Sequence, residues 1–306
     1  MYDLSVIIVS WNVRELLRRC LSSVFDSEGP ELEVIVVDNA SQDGSAALVH
    51  QDFPQARLIQ NRENLGFTKA NNQALAESLG RYLLLLNPDT EVVGQALTTM
   101  VSYMDAHHGV GALGPKLLNP DGSVQSSRRR FPTLTTAFLE STILQRWFPK
   151  SEALRRYYLL DRPEDEEQEV DWVVGACLLI RRKALEETGP LDEDYFMYSE
   201  ELDLCYRLKK KGWKVVYLPQ AQVIHHEGKS SEQVIPARHI HFQRSKVLFF
   251  RKHFGIWQSE LLRFFLLLSY VYQWLEEAGK WLLGHKRPLR RARMSAYWQV
   301  LRSGLR

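Results

Sequence analysis

The chain has 306 residues, 25% of them charged and 45% hydrophobic, with 39 Lys and Arg against 37 Asp and Glu for a formal net charge of +2. At roughly 100 to 200 residues per domain, this length supports one large domain with an appendage, or two domains, around a substantial core. With 17 Gly and 12 Pro scattered along the chain and 11% aromatic residues, disorder, collagen-like sequence and low-complexity architectures are excluded.

Leu4 to Ser10 and Leu32 to Asp38 are short apolar, β-branched runs, each followed by a helical pattern, Val13 to Phe25 and Gly44 to Gln51. Arg57 to Gln60 reads as a third strand, Phe67 to Leu79 as a helix, and Tyr82 to Leu86 as a strand buried on both faces. The alternation predicts an α/β fold built on a buried parallel sheet, whose ligand lies beyond the carboxyl ends of the strands. After Val110 to Gly114 the pattern turns irregular, through Asn119-Pro-Asp-Gly, Arg128 to Arg130 and the acidic stretch Pro163 to Glu169, which reads as substrate-facing loops. Val170 to Ile180 resumes as a strand and Glu200 to Lys211 as a helix stopped by Gly212. Val215 to Leu218 and Gln222 to Ile224 are short strands, and the chain from His239 onward is mostly helical.

Chemistry concentrates where these strands end. Asn87-Pro-Asp89-Thr closes a buried strand with a carboxylate suited to a divalent cation, or alternatively with a helix N-cap ahead of Val92. Asp38, at the same sheet edge, is placed either to bond a base or ribose or to cap its own turn. Gly66 lies between a polar loop and a helix start that could face an anion. No glycine-rich dinucleotide or P-loop signature is present, so phosphate charge calls for a metal. Glu200, Glu201 and Asp203 crowd one helical first turn, where they either complement the helix dipole or raise one another's pKa toward that of a general base. His225 follows a strand and is either structural or a companion ligand to Asp89.

Taken in order, Ser5 to Asn12, Val36 to Gly44, Asn61 to Asn72, Leu86 to Asp89, Trp172 to Ala176, Leu191 to Phe196, Glu200 to Asp203 and His225 to Ser230 resemble the family 2 inverting glycosyltransferases. Within that family the resemblance is to the rhamnosyltransferase-like branch that builds bacterial cell-surface polysaccharides, and it covers roughly residues 3 to 255. It implies a GT-A fold, a nucleotide-diphospho-sugar donor, Mg2+ or Mn2+, and inversion at the anomeric carbon. By position it implies donor contacts at Ser10, Asn12, Asp38, Asn39, Asn64, Gly66, Asn71 and Asn87, with Asp38 at the base. It implies metal or diphosphate contacts at Asp89 and His225 and an acceptor pocket at Trp172, Gly175 and Ala176. Glu201 would be the general base, oriented or tuned by Glu200 and Asp203. Asn87 stands where many relatives carry an acid, and Glu201 where Asp is commoner.

Residues 1–255 are therefore expected to form the GT-A domain and residues 256–306 a helical appendage. Lys280 to Arg306 holds eight Lys and Arg and no acid, leaving 31 basic against 37 acidic residues, or −6, for the rest. The apolar run Leu261 to Leu275, interrupted by Arg263 and ended by Glu276-Glu277, is shorter than the ~20 residues that span a bilayer. Its aromatic residues and the basic run fit either helices lying on an anionic inner leaflet or helices that pack on the domain or form a homo-oligomer; nucleic acid is not expected as a partner. Cys20, Cys177 and Cys205 read as reduced core thiols, and the N-terminus lacks the pattern of an export signal, which together predict a cytoplasmic protein on the inner face of the cytoplasmic membrane. The expected acceptor is a lipid-linked or polysaccharide glycan. A sugar-nucleotide pyrophosphorylase and a noncatalytic glycan-binding scaffold are the competing functions; the first would open with a glycine-rich basic loop where this chain has Ser10-Trp-Asn-Val-Arg14.

Overall fold

The computed structural model describes residues 2–140, 142–226 and 235–306, so Glu227 to Ser230 of the last motif lie outside the described residues. Its first half alternates regularly: β1 (Leu4–Ser10), α1 (Arg14–Phe25), β2 (Leu32–Asp38), α2 (Ser45–Asp52), β3 (Arg57–Gln60), α3 (Phe67–Glu77), β4 (Tyr82–Leu86), β5 (Thr90–Val92), α4 (Ala96–Ala106) and β6 (Val110–Leu118). There follow β7 (Val124–Gln125), β8 (Arg128–Arg129), α5 (Leu134–Leu139), α6 (Ile143–Trp147), α7 (Glu152–Tyr157), β9 (Gln168–Val170), β10 (Trp172–Val173), β11 (Cys177–Arg181) and α8 (Arg182–Thr188). The chain ends with α9 (Glu200–Lys210), β12 (Lys214–His225), α10 (Ile235–Phe254), α11 (Ile256–Leu282) and α12 (Arg287–Ser303).

The main sheet runs β3-β2-β1-β4-β11-β6-β12-β5, with β7 on β6 and β9 on β12. β1, β2, β3 and β4 are mutually parallel, β11 runs antiparallel between β4 and β6, and β12 is parallel to β6. The sheet is thus mostly parallel with antiparallel members, and the GT-A expectation is met. The single strand expected over Val170 to Ile180 is three short ones, because the chain turns at Val174 to Ala176 to carry β10 onto β8. Alternating side chains serve two cores: Val6, Ile8, Val34 and Val36 face one helical layer, while Ile7, Val9, Ile35 and Val37 face the other. All seven residues of β1 are buried, as a central strand covered on both faces requires. The three cysteines are buried and free.

Packing divides the chain into two compact units. The sheet unit comprises Met1–Phe131, Tyr158–Phe196 and Glu200–Ser230, and the helical unit Pro132–Tyr157, Met197–Ser199 and Ser231–Arg306. α10 belongs with α11 and α12, so this division falls elsewhere than residue 255. In the helical unit Phe249 and Phe250 are fully buried, as is Leu262 of α11. α11 does not stop at Glu276-Glu277, because both acids find cations. Glu276 bonds Arg146 at 3.3 Å and Lys280 at 2.5 Å. Glu277 turns inward to meet Arg290 of α12 at 2.8 and 3.0 Å, with Arg293 at 3.3 Å. No described helix is long and apolar enough to cross a membrane.

Candidate active site

The parallel registers Ser10↔Asp38 and Ile8↔Leu86 bring the carboxyl ends of β1, β2 and β4 to one edge of the sheet. Ser10 and Asp38 are buried, and Ser10 Oγ and Asp38 Oδ1 have no hydrogen-bond partner among the described residues. Asp38 Oδ2 accepts from the Ser41 amide at 3.1 Å, so one oxygen caps the local turn while the other stays available to a ligand. Buried polar atoms are rarely left unpaired, and two of them facing neighbouring strand ends form a polar receptor waiting for donors and acceptors. The loops after both strands are held by left-handed residues, Asn12 (φ +53) and Ala40 (φ +65), conformations that cluster at functional sites. Asn12 Oδ1 accepts from the Gln42 amide at 2.7 Å and ties the two loops together.

Several expected donor residues brace this edge. Asn39 donates to Asn64 Oδ1 at 2.9 Å and to Gly66 O at 3.1 Å, and accepts from Asn61 and from the Leu65 amide. Asn71 donates to Phe67 O at 2.8 Å within α3. Gly66 sits at φ +88, and a Cβ there would come within 2.7 Å of the Phe196 ring and carbonyl. A side chain at that position would break the close approach in which the Phe67 amide donates to Phe196 O.

Asp89 follows β4, but no helix follows it: Thr90–Val92 is β5, which rules out the N-cap reading. The antiparallel pair Thr90↔His225 sets the end of β12 beside it. Asp89 Oδ1 and His225 Nε2 lie 3.4 Å apart, both side chains about 7% exposed. Two ligands side by side on an octahedral ion with bonds of about 2.1 Å lie about 3 Å apart, so the pair fits two positions of one Mg2+ or Mn2+. Gln125 Oε1 sits 2.7 Å from His225 Nδ1 and holds the ring with Nε2 toward Asp89. No third His, Cys, Asp or Glu joins them among the described residues, so further ligands would come from diphosphate oxygens and water. The Asn87 backbone is fixed on both sides, its amide donating to Ala176 O at 2.9 Å and its carbonyl accepting from Thr90 Oγ1.

That Asn87–Ala176 bond puts the turn before β11 on the same edge. The next residue along, Gly175, lies against Glu201: its amide donates to Glu201 Oε1 at 3.4 Å, and a Cβ on Gly175 would stand 3.3 Å from the Glu201 Cβ. Glu200 is buried, Glu201 half-buried, and Oε2 of each is withdrawn from solvent with no partner among the described residues. Burial pushes Glu200 well above the ordinary carboxylate range, and the neighbouring Glu201 charge adds to the rise. Burial raises Glu201 too, offset in part by backbone amides, Gly175 among them, and by the Arg129 charge. Asp203 is spoken for: its Oδ2 takes Arg207 Nε at 2.7 Å, while that guanidinium also clamps the carbonyls of Thr188, Gly189 and Pro190. Trp172 donates Nε1 to Arg130 O at 2.9 Å, joining β10 to the arginine segment. Arg129 lies 4.5 Å from the Tyr158 ring and 6.0 Å from that of Trp172. Gln125 and Arg129 are the site residues that sequence reasoning missed. The run Arg128 to Arg130 was visible as basic, but nothing in it separated Arg129 from Arg128, which is buried on the carbonyls of Leu159 and Arg162.

The mixed, mostly parallel sheet with helices on both faces is the fold of the GT-A glycosyltransferases. The chain belongs to glycosyl transferase family 2, which it matches over residues 5–189, and residues 163–306 match glycosyl transferase family group 2. It is 32% identical over 272 residues to an N-acetylglucosaminyl-diphospho-decaprenol L-rhamnosyltransferase of Mycobacterium tuberculosis, covering 84% of this chain and 87% of that protein. It is 26% identical over 231 residues to the rhamnosyltransferase WbbL of Escherichia coli, covering 72% and 82%. Among solved structures, the mannosyltransferase PcManGT from Pyrobaculum calidifontis, in complex with GDP-Man and Mn2+, shares the fold with a TM-score of 0.59 at 17% identity, covering 98% of this chain and 85% of its own.

Proposed function

We propose that this glycosyltransferase moves a sugar, with inversion, from a nucleotide-diphospho-sugar to a hydroxyl of a lipid-linked or polysaccharide acceptor in cell-envelope glycan synthesis. The names of its relatives favour L-rhamnose as the sugar moved, and we infer dTDP-rhamnose as its donor. The observation that carries the reading is the unpartnered Glu201 Oε2 on the same sheet edge as the Asp89–His225 pair.

In this reading Asp38 Oδ1 and Ser10 Oγ, both short of partners, bond the nucleoside. Asp89 and His225 would hold Mg2+ or Mn2+, which when bound neutralises the charge growing on the departing diphosphate. Glu200 keeps its proton, since two adjacent buried carboxyls resist double ionisation, and Glu201 is the one left ionised. Glu201 takes the acceptor hydroxyl proton as that oxygen bonds the anomeric carbon and the carbon–oxygen bond to the diphosphate breaks. Such general-base help is worth about 10²–10⁴ in rate. Trp172, Gly175 and Ala176 would line the acceptor side.

The test is turnover and binding with a panel of dTDP-, UDP-, GDP- and CDP-sugars, in Mg2+, Mn2+ or EDTA, with a polyprenyl-diphosphate-linked acceptor. Metal-dependent transfer from one donor, lost in Asp89→Ala, is expected. Donor binding that EDTA and Asp89→Ala both leave intact would overturn the metal assignment.

A further inference from the structure

α11 is apolar on both sides. Its inner face, including Leu262, Leu266 and Tyr270, is buried within the helical unit. Its outer face carries Trp257, Leu261, Phe264, Leu268, Tyr272 and Leu275, all exposed, Trp257 to 87% and Phe264 to 62%. The spacing is three or four residues throughout, so these side chains form one stripe over roughly 27 Å of helix. The charged residues of this stretch fall outside it: Arg263 is tied to Glu260 and to Gly304 O. The stripe continues sideways onto α6, where the Trp147 ring meets Tyr272 at 5.8 Å and Phe148 is 56% exposed. A contiguous apolar surface of this size marks an interaction site.

Charge decides the occupant. The helical unit holds 18 Lys and Arg against 6 Asp and Glu, or +12, leaving 21 against 31, or −10, in the sheet unit. A second copy meeting this face would set +12 against +12, whereas an anionic lipid surface offers the opposite charge. Tryptophan and tyrosine at the edge of an apolar face beside Lys and Arg also match the composition of interfacial helices.

We propose that α11 lies in the plane of an anionic membrane, its Trp257-to-Leu275 stripe sunk to the acyl boundary, with Trp147 and Phe148 alongside and the basic residues of α12 on the headgroups. The proposal deepens the lipid-linked part of the function above by naming the surface through which the enzyme meets its acceptor's membrane. Each large side chain of the stripe withdrawn from water raises partition about tenfold or more, and each basic residue near the headgroups raises it about fivefold.

The experiment is sedimentation of the full chain with vesicles of phosphatidylcholine alone or of phosphatidylcholine with phosphatidylglycerol, and light scattering for its mass in solution. Binding only to the anionic vesicles, weakened by salt, is expected. F264E with L268E should lower partition at least tenfold, and R287Q with R291Q by roughly 25-fold, with nucleotide-sugar binding and the circular dichroism spectrum of both variants unchanged. Failure to bind anionic vesicles, binding that F264E/L268E leaves intact, or a dimer that those substitutions split into monomers would each overturn it. Donor binding is read separately, so loss of the transferase assignment and loss of the membrane surface are distinct results.

Discussion

The two units use apolar residues in opposite ways. In the sheet unit they turn inward from both faces of β1, β2 and β4, and what reaches the carboxyl edge is polar. In the helical unit the core is complete with one side of α11, and the other side, equally apolar, is left on the surface. The difference teaches that hydrophobic patterning identifies buried faces without saying what buries them. A strand core is covered by its own chain, whereas a helix apolar all round needs a further neighbour.

The comparison predicts where damage is confined. The largest effect is Glu201→Gln, expected to lower turnover about 10²–10⁴-fold while donor binding, measured by calorimetry, stays near the parent value. Turnover within a few fold of the parent would remove Glu201 as the base. Next is Arg290→Ala, which leaves the buried Glu277 carboxylate with Arg293 alone and should cost the helical unit about 3 kcal/mol of stability, the low end for a broken buried pair. Denaturant unfolding followed by Trp fluorescence measures the loss, and a parent-like midpoint would show that the pair is dispensable. Gly66→Ala acts in the sheet unit, where φ +88 and the Phe196 contact should cost about 1–3 kcal/mol, read as a lower melting temperature together with weaker donor binding.

The smallest effect sharpens the carboxylate pair. Glu201 must be ionised to accept a proton, and its pKa is raised, so kcat/KM should fall with decreasing pH from a point above the ordinary glutamate value of 4.5. Glu200 keeps its proton and so sets no charge beside Glu201, and Glu200→Gln should leave the position of that fall unchanged. Glu200 also has a raised folded pKa, so its contribution to stability is complete below the unfolded value of 4.5 and declines as pH rises through the folded one. Glu200→Gln should therefore gain stability over the parent as pH increases, which melting curves across pH would record; no gain would mean that the carboxyl is solvated.

The sequence by itself determined the order of strands and helices through α3 and β4, because period-2 and period-3.6 patterns are local consequences of which face is buried. It also placed Asp38 and Asp89 at strand ends. What it could not reach were matters of partner. Gln125 fixes the ring of His225 from 100 positions away. Asp203, in the same helical turn as Glu201, is spent on Arg207, while Glu201 rests on a glycine of the turn before β11. α11 ran past Glu276-Glu277 because cations on other helices met both charges. Local pattern follows from neighbours in sequence, but the state of a carboxylate follows from the neighbours that tertiary packing brings, and only the fold chose those.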